Sequence, residues 1–285
     1  MSICYLNGKY LPKTRSKISI EDRGLNFSDG IYEVIRFRNK KLLNFSYHQK
    51  RLNRSLKELK MKFPFSNKSS LIIVINNLLK MNAYKNGFIY LQITRGTAVR
   101  NHIFPKSVKP NIILSLYPEP DVKKLVKGVK IILTEDIRWK RCDIKSTSLL
   151  PNVIGKQLAF ENGCYESWQT NEKNKITEGT TSNAFIILNN GRIQTHPLNN
   201  NILGGVTRNT LIKAARDKKI NITEKAFSKK DLLSCEEAFL TSTTVGVIPV
   251  IVVNEKKINN GKVGRKTKNL IKIYNNFLSS QTTNE

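Results

Sequence analysis

The sequence predicts an α+β protein built from two subdomains. Short β segments joined by tight turns occur in both halves of the 285-residue chain, and helical periodicity appears only in scattered stretches. The chain contains neither a regular strand–helix–strand alternation nor a G-x-G-x-x-G run, which disfavours a doubly wound parallel sheet. A mixture of antiparallel hairpins and isolated helices is typical of an α+β architecture.

Two turn dipeptides organise the start of the chain. Asn7-Gly8, the strongest short hairpin signal, joins predicted strands over 3–6 and 9–11. Asn39-Lys40 joins predicted strands over 31–37 and 41–45 in the same way. Leucines at helical spacing then indicate a helix among basic residues. The elements predicted for the rest of this half are helices over 46–60 and 69–81 and strands over 88–94 and 111–117.

A polar, proline-rich break, Pro118-Glu119-Pro120-Asp121, is the best candidate for a linker. We therefore predict a small N-terminal domain over residues 1–118, a linker over 119–122 and a larger domain over 123–285. The elements predicted for the larger domain are strands over 129–134, 166–169, 184–188, 192–195, 238–240 and 247–253, and helices over 152–161 and 206–217.

The formal net charge of +28 allows a competing interpretation as a nucleic-acid-binding protein. Such proteins concentrate their basic residues on one stripe, with aromatic side chains placed to stack on bases. Here the basic residues are spread from Lys9 to Lys272, and the densest cluster, over 262–272, resembles the solvated face of a terminal helix. The pattern favours a general compositional bias, and no specific nucleic-acid partner is predicted.

The cysteines and the apolar segments bear on the compartment. Cys4, Cys142, Cys164 and Cys235 are widely spaced and form no C-x-x-C, which argues against a zinc site and against a disulfide framework. The N-terminus shows no secretory signal, and apolar runs such as 71–79 are too short to span a bilayer. We expect a cytoplasmic protein with no metal and no membrane contact.

A lysine followed by a carboxylate is the most informative feature of the chain. Lys145 ends a basic segment that begins at Arg138, and Glu178 opens the run Glu178-Gly179-Thr180-Thr181-Ser182-Asn183. A lysine of this kind can attach a pyridoxal phosphate cofactor covalently, and a carboxylate can hold a proton on its pyridine nitrogen. Taken singly, a lysine in so basic a chain is an ordinary surface residue, and Glu178 is an ordinary turn residue. Their order and separation resemble those of a lysine and a similar run in fold-type IV aminotransferases, and this resemblance favours the functional interpretation.

Several segments could bind the cofactor phosphate. The run over 203–208, Leu203-Gly204-Gly205-Val206-Thr207-Arg208, predicts a glycine turn that opens a helix, where free backbone amides favour an anion. Hydroxyl groups of Thr241-Ser242-Thr243-Thr244 and the planar fork of Arg51 could add donors. Thr181 could help to orient the cofactor ring. Each of these signals is weak when considered alone.

Taken together, the chain resembles the class IV pyridoxal phosphate aminotransferases, and within them the bacterial D-amino acid enzymes. The resemblance extends from about Gly8 to Gly264. The matching segments are Glu21-Asp22-Arg23-Gly24, Phe27 to Val34, His48 with Arg51, Gln92 to Thr97, Arg138 to Lys145, Thr177 to Asn183, Gly205 to Arg208 and Thr241 to Thr244.

The resemblance implies specific roles for the matched residues. Lys145 would bind pyridoxal 5′-phosphate and move the substrate proton, and Glu178 would face the pyridine nitrogen. Leu203 would pack against the ring. The residues implied in phosphate binding are Arg51, Val206, Thr207 and Thr243, with Ser242 beside them. A fold-type IV structure is implied, with a small α+β N-terminal domain, a larger α/β-barrel-like C-terminal domain and a homodimer.

Tyr32, Arg100 and His102 are the residues that bear on stereochemistry. In the D-amino acid enzymes an R-x-H pair from the partner subunit joins a tyrosine to bind the substrate carboxylate, and these three residues match those positions. All three side chains can donate to carboxylate oxygens. Considered alone, Arg100 and His102 would be an exposed loop pair.

The predicted reaction moves an amino group from D-alanine to 2-oxoglutarate, giving pyruvate and D-glutamate. Two alternatives within the same fold are an L-branched-chain aminotransferase and an aminodeoxychorismate lyase, and Tyr32, Arg100 and His102 argue against both. A basic nucleic-acid-binding protein remains the alternative from another class. Intact Lys145 and Glu178 argue against a non-catalytic member of the family.

Overall fold

The computed structural model describes residues 2–283, and the chain folds into two compact units. The first unit contains the chain up to Pro120 together with Ile144–Ser148. The second contains Asp121–Asp143 and the chain from Leu149 onward. The short segment that carries Lys145 therefore belongs to the first unit, although it lies far beyond Pro120 in the sequence.

The first unit is a six-stranded antiparallel sheet with helices packed on it. Its strands follow the order β2-β1-β6-β5-β3-β4. The elements are β1 (Ile3–Leu6), β2 (Lys9–Pro12), α1 (Arg23–Phe27), β3 (Gly30–Arg38), β4 (Lys41–Leu42), α2 (Phe45–Glu58), α3 (Lys68–Met81), β5 (Gly87–Thr94) and β6 (Asn111–Pro118).

Local sequence explains most of these elements. The β1–β2 turn needs positive φ at both central residues, and Asn7 (49°) and Gly8 (94°) adopt it readily. In α3, the Asn67 side chain accepts a hydrogen bond from the Ser70 amide at 2.9 Å and so caps the helix. Leu71 and Ile75 lie on the buried face of α3, one turn apart, and pack in the core of this unit.

The second unit contains a mixed sheet of nine strands. Eight of them follow the order β12-β11-β10-β13-β14-β7-β8-β9, and β15 pairs with β14. The elements are β7 (Val129–Glu135), α4 (Leu150–Glu161), β8 (Glu166–Thr170), β9 (Ile176–Gly179), β10 (Asn183–Ile187), β11 (Ile193–Thr195), α5 (Val206–Asp217), β12 (Ile222–Glu224), α6 (Lys229–Ser234), β13 (Glu237–Ser242), β14 (Gly246–Val253), β15 (Lys256–Lys257) and α7 (Arg265–Thr283).

The terminal helix α7 is fastened to this sheet at its first turn. Glu237 of β13 accepts hydrogen bonds from the amides of Lys266 (3.0 Å) and Thr267 (2.7 Å), which satisfies two donors that have no partner within the helix. Leu270 and Tyr274, one turn apart, are buried on the inner face of α7. A carboxylate at a helix N-terminus also interacts favourably with the helix dipole.

The structure and the comparisons reported below confirm the α+β class, and most predicted elements are present within one or two residues. The strand predicted over 41–45 is wrong at its end. Asn44 adopts a left-handed conformation (φ 55°), so β4 stops at Leu42 and α2 begins at Phe45. Strand β9, whose four residues are all buried and include Glu178, is not predicted from the sequence. The predicted domain boundaries stay a prediction.

Three general findings accompany the fold. Along residues 2–283, no helix is both long and apolar enough to cross a membrane. The same part of the chain contains no group of three or more His, Cys, Asp or Glu side chains that could hold a metal ion. All four cysteines are free thiols.

Candidate active site

The segment that carries Lys145 is hydrogen-bonded to the start of β3. The Lys145 carbonyl accepts from the Tyr32 amide at 3.0 Å, and the Thr147 amide donates to the Gly30 carbonyl at 3.0 Å. From the other side, the Ser55 hydroxyl of α2 accepts from the Lys145 amide at 3.2 Å. The backbone of Lys145 is therefore held between β3 and α2.

The Lys145 side chain lies over an aromatic surface. Its ammonium nitrogen is 4.0 Å from the centroid of the Tyr32 ring, a cation–π distance. The Tyr32 ring in turn stacks on Tyr90, with centroids 5.7 Å apart and an angle of 30° between the planes. The sequence-predicted base and the sequence-predicted carboxylate-binding tyrosine are thus in contact within the first unit.

Glu33, the residue after Tyr32 on β3, is a buried carboxylate that contacts two side chains of α2. Both oxygens of Glu33 accept from Arg51, through Nε at 2.7 Å and Nη2 at 2.8 Å. His48 Nδ1 lies 2.9 Å from the same carboxylate, and because a carboxylate only accepts, Nδ1 must carry the proton. Glu33 and His48 are almost fully buried. The predicted phosphate ligand Arg51 therefore directs two of its nitrogens to Glu33.

Burial and charge pairing act against each other in this cluster. Burial alone would raise the pKa of Glu33, but the guanidinium of Arg51 and the hydrogen bond with His48 hold it well below the usual range. Burial lowers the pKa of His48, and Glu33 counters that shift only in part. The cluster therefore contains a permanent Glu33–Arg51 ion pair and a neutral imidazole near pH 7.

Arg100 and His102 lie together in the segment that follows β5. Both are exposed, and both lie against Phe27: the Arg100 guanidinium is 5.1 Å from the ring centroid, and the His102 ring is also 5.1 Å away. Across the described residues, no hydrogen bond or ring contact joins either side chain to Tyr32. The three predicted carboxylate-binding residues are not assembled into one cluster within a single chain.

In the second unit, Glu178 is a buried carboxylate with three donors. Arg138 Nη1 donates to one oxygen, and the other accepts from Asn183 Nδ2 (2.9 Å) and the Leu203 amide (3.0 Å). Asn183 Nδ2 also donates to the Leu203 carbonyl at 2.9 Å. Asn183 packs so closely on Gly205 that a side chain there would overlap its amide oxygen. Glu178 and the start of α5 are therefore joined through Asn183 and Leu203.

The arginine beside Glu178 serves a second carboxylate. Arg138 donates to Asp136 through Nε at 2.8 Å and through Nη2 at 2.7 Å, and Thr177 adds its hydroxyl to Asp136 at 2.6 Å. Burial raises the pKa of Glu178 to about 7, with Arg138 acting against the shift and Asp136 adding to it. Glu178 is thus a buried carboxyl whose charge state is adjustable near neutral pH.

The N-terminus of α5 fits an anionic group such as a phosphate. Gly205 occupies the N-cap position, and no side chain among the described residues caps the helix there. The first amides of α5, including those of Val206 and Thr207, can therefore serve an anion, which the helix dipole also favours. Thr207 is buried, and its hydroxyl lies 3.5 Å from the Tyr274 phenol.

The remaining predicted cofactor residues lie in two loops. Ser242 ends β13 and lies 3.1 Å from Thr244, hydroxyl to hydroxyl, so the turn that includes Thr243 is rich in donors. Thr181 directs both its amide (3.2 Å) and its hydroxyl (3.1 Å) to Glu166, a fully buried carboxylate. Thr181 thereby orders the loop after Glu178, and its contact with a cofactor stays a prediction.

Two carboxylates of the site, Glu33 and Asp136, have no role predicted from the sequence. Glu33 had a visible signal, because it is a carboxylate in an alternating row of apolar residues, Ile31, Ile35 and Phe37, and a helix downstream carries a His and an Arg three residues apart. Asp136 and Arg138 are two residues apart, a spacing that does not by itself indicate a shared partner.

The model of the family "Amino-transferase class IV" matches residues 30–253. This chain belongs to the class IV aminotransferases. Enzymes of this class depend on pyridoxal 5′-phosphate, as the resemblance implied, and family membership favours the enzyme interpretation over the nucleic-acid-binding hypothesis. The segment matched includes Lys145 and Glu178.

Curated relatives match over almost their whole length. The D-alanine aminotransferase of Staphylococcus aureus (strain N315) is 40% identical, covering 99% of this chain and all of the relative. The D-alanine aminotransferase of Staphylococcus haemolyticus is 38% identical with the same coverage, and that of Bacillus licheniformis is 37% identical over 97% of both chains.

Solved structures share the fold at lower identity. The branched-chain amino acid aminotransferase of Escherichia coli superposes with a TM-score of 0.90 at 20% identity, covering 100% of this chain and 97% of that one. The branched-chain aminotransferase of the archaeon Thermoproteus uzoniensis, solved with norvaline, gives 0.87 at 23% identity, with coverages of 99% and 96%. This likeness confirms the fold-type IV architecture.

Proposed function

We propose that this class IV aminotransferase is a pyridoxal phosphate-dependent D-amino acid transaminase, acting on D-alanine and a 2-oxo acid such as 2-oxoglutarate. The products would be pyruvate and D-glutamate. The observation that carries the proposal is the contact between Lys145 and Tyr32, 4.0 Å from nitrogen to ring centroid. It brings a base beside a phenol that can bind a carboxylate, in a chain 37–40% identical to D-alanine aminotransferases.

The residues present fit the cofactor in two respects. The uncapped N-terminus of α5 suits its phosphate, with Val206, Thr207, Ser242 and Thr243 as donors. Glu178, buried and adjustable in charge near neutral pH, suits its pyridine nitrogen. Leu203 would contact the ring. We propose smaller contributions from Thr181 to the ring and from Arg51 to the phosphate, since both side chains also serve buried carboxylates.

The chain's own groups would carry the proton steps. When bound, the cofactor supplies an electron sink for the charge left on the substrate α-carbon. Lys145 would take the substrate α-proton at Nζ, acting as a general base. It would then donate this proton again, acting as a general acid. Glu178 would keep the ring nitrogen protonated. The hydrogen bonds of the Lys145 backbone to β3 and α2 would keep Nζ in position during this transfer.

Stereochemistry would follow from which side of the site binds the carboxylate. We propose Tyr32, Arg100 and His102 as its donors, with Arg100 and His102 supplied by a second copy of the chain. Two observations support a homodimer. Arg100 and His102 are exposed in the single chain, and α4 exposes five large apolar side chains: Leu150, Val153, Ile154, Leu158 and Phe160. Exposed apolar surface of this kind marks protein–protein contacts.

We propose a reducing cytoplasm as the compartment, because all four cysteines are free and two of them, Cys4 and Cys235, are buried as thiols. Burial raises the pKa of Cys235 to about 12, so this thiol stays protonated and unreactive.

A direct assay tests the proposed function. Purified enzyme with cofactor, 2-oxoglutarate and D-alanine should form pyruvate and D-glutamate, separated by chiral chromatography, whereas L-alanine and L-leucine should give no turnover. Lys145→Ala should abolish the reaction, since no other residue would replace the base. Turnover of L-leucine in place of D-alanine would contradict the proposal and indicate a branched-chain enzyme.

A further inference from the structure

One face of the first unit's sheet carries a polar group that the proposed function does not yet use. On β3 and β5, residues alternate between the core and the opposite face, and Tyr32 is directly paired with Gln92. Their neighbours Ile31 and Ile93 are fully buried, whereas Tyr32 and Gln92 are partly exposed. Side chains directly opposite on antiparallel strands lie about 5 Å apart at Cβ. Gln92 is therefore adjacent to the phenol that lies under the Lys145 ammonium.

Tyr90 fixes the orientation of the Gln92 amide. The Tyr90 hydroxyl donates to Gln92 Oε1 at 2.7 Å, and the Tyr90 ring stacks on Tyr32. Burial raises the pKa of Tyr90 to about 12, so its phenol remains a donor throughout the physiological range. With its oxygen occupied, the amide presents Nε2, which has two N–H donors. Within residues 2–283 this nitrogen donates to no acceptor, and it is not fully enclosed.

We propose that Gln92 Nε2 is a further donor to the substrate α-carboxylate, beside Tyr32, and that Tyr90 is a positioning residue that acts through Gln92. This inference rests on the proposed transaminase function. A carboxylate can accept about four hydrogen bonds, so it can use a donor beyond Tyr32, Arg100 and His102. A hydrogen bond to a charged acceptor is also stronger than one to a neutral acceptor.

The test compares Gln92→Leu with Gln92→Glu in the cofactor-loaded enzyme. Leucine removes the donor, and we expect kcat/KM for D-alanine to fall by about ten- to a hundredfold, as for other hydrogen bonds to charged groups. Glutamate keeps the shape and still accepts from Tyr90, but it repels a carboxylate. We therefore expect Gln92→Glu to lose more than Gln92→Leu. If Gln92 only accepts from Tyr90 to hold the sheet face together, Gln92→Glu will retain more activity than Gln92→Leu, which overturns the proposal.

Binding of a carboxylate without an amino group gives a readout that is independent of turnover. Competitive inhibition by propionate should weaken in the same order, wild type, then Gln92→Leu, then Gln92→Glu. Asn76→Asp is a matched control, because it also converts an amide to an acid in the same unit, at an exposed position of α3. It should leave both kcat/KM and propionate inhibition unchanged. Equal inhibition of all four proteins would overturn the assignment.

Tyr90→Phe tests the positioning role. It should lower kcat/KM for D-alanine less than Gln92→Leu does, and adding it to Gln92→Leu should cause no further loss, because its effect passes through the amide. Losses that multiply in the double variant would contradict this pathway. Failure of the wild-type enzyme to use any D-amino acid would contradict the proposed function itself, whereas an active wild type with the opposite order of Gln92 variants overturns this inference alone.

Discussion

The two units each bury a carboxylate against an arginine, and the two pairs are built differently. Glu33 accepts from Nε and Nη2 of Arg51, one on each oxygen, in a bidentate arrangement. Arg138 directs the corresponding two nitrogens to Asp136 and only Nη1 to Glu178. Both glutamates are almost fully buried, with 0% and 6% of their surface exposed, so burial alone does not distinguish them.

The opposite pKa shifts follow from how each arginine contacts its glutamate. The pKa of Glu33 lies well below its usual range, whereas the pKa of Glu178 is raised to about 7. Burial disfavours the charge of both carboxylates. At Glu33 the two nitrogens of Arg51 together with His48 outweigh it, whereas at Glu178 the single nitrogen of Arg138 does not. Glu33 therefore keeps a permanent negative charge, which stabilises the structure next to Tyr32. Glu178 is suited to respond to a group that binds beside it, as a cofactor nitrogen would.

The loss of Glu33 should have the largest effect on stability. Glu33→Gln removes the charged partner of a buried arginine, so we expect the free energy of unfolding to fall by about 3–5 kcal/mol. Urea denaturation followed by circular dichroism measures it. Glu178→Gln should cost less, roughly 1–2 kcal/mol, because Arg138 keeps Asp136. A greater loss in Glu178→Gln would contradict the comparison.

The order of the two variants should reverse for the catalytic rate, with Glu178→Gln losing more than Glu33→Gln. Glu178→Gln removes the carboxylate proposed to hold the ring nitrogen protonated, and we expect kcat to fall about a hundredfold, roughly 2.7 kcal/mol, while the protein remains folded. Single-turnover kinetics with D-alanine measure this step. Asn183→Asp is a useful companion, since it replaces the donor at 2.9 Å with a like charge beside Glu178. Unchanged kcat in Glu178→Gln would show that the residue is structural only.

Removing the charge of Asp136, which shares Arg138 with Glu178, should move the pKa of Glu178 toward the low value of Glu33. In Asp136→Asn the second carboxylate loses its charge, so the pKa of Glu178 should fall because Asp136 raises it in the wild type. We expect the acidic limb of the kcat/KM profile to move down by about one pH unit, equivalent to about 1.4 kcal/mol. An acidic limb that stays in place would mean that another group controls it.

The smallest effect is the pH dependence of stability, which should have opposite signs at the two sites. Glu33 has a lowered folded pKa, so its contribution is present above about pH 4.5 and is lost as the pH falls further. Glu178 has a raised one, so its contribution is present below about pH 4.5 and is lost as the pH rises through 7. Free energies of unfolding measured from about pH 2 to 8 should show the advantage of wild type over Glu33→Gln shrinking below about pH 4.5, and its advantage over Glu178→Gln shrinking as the pH rises through about 7. Parallel curves would contradict the account.

Much of the fold could be predicted from local sequence. The Asn7-Gly8 turn, the leucine spacing of α2 and the glycine that opens α5 each act over a few residues, and the structure follows them. Lys145 and Glu178 were found through their resemblance to a family, because neither has a local signal strong enough to stand alone.

The electrostatics of the site could not be predicted in the same way. Whether Arg51 faces Glu33 depends on how α2 packs against β3. Whether Arg138 contacts both Asp136 and Glu178 depends on β8 pairing with β7 on one side and with β9 on the other. The return of Ile144–Ser148 to the first unit is a long-range contact as well. Tyr90 and Gln92 were closer to detection, since residues two apart on a strand share a face.

The central claim is that Lys145 performs D-specific amino transfer in a pyridoxal phosphate enzyme. The most direct test records the visible absorption of the purified, cofactor-loaded protein and then adds D-alanine or L-alanine without any oxo acid. The account predicts an absorption band that D-alanine removes and L-alanine leaves unchanged. A band lost only with L-amino acids would contradict the stereochemical assignment, and the absence of any band after addition of pyridoxal phosphate would contradict the enzyme mechanism.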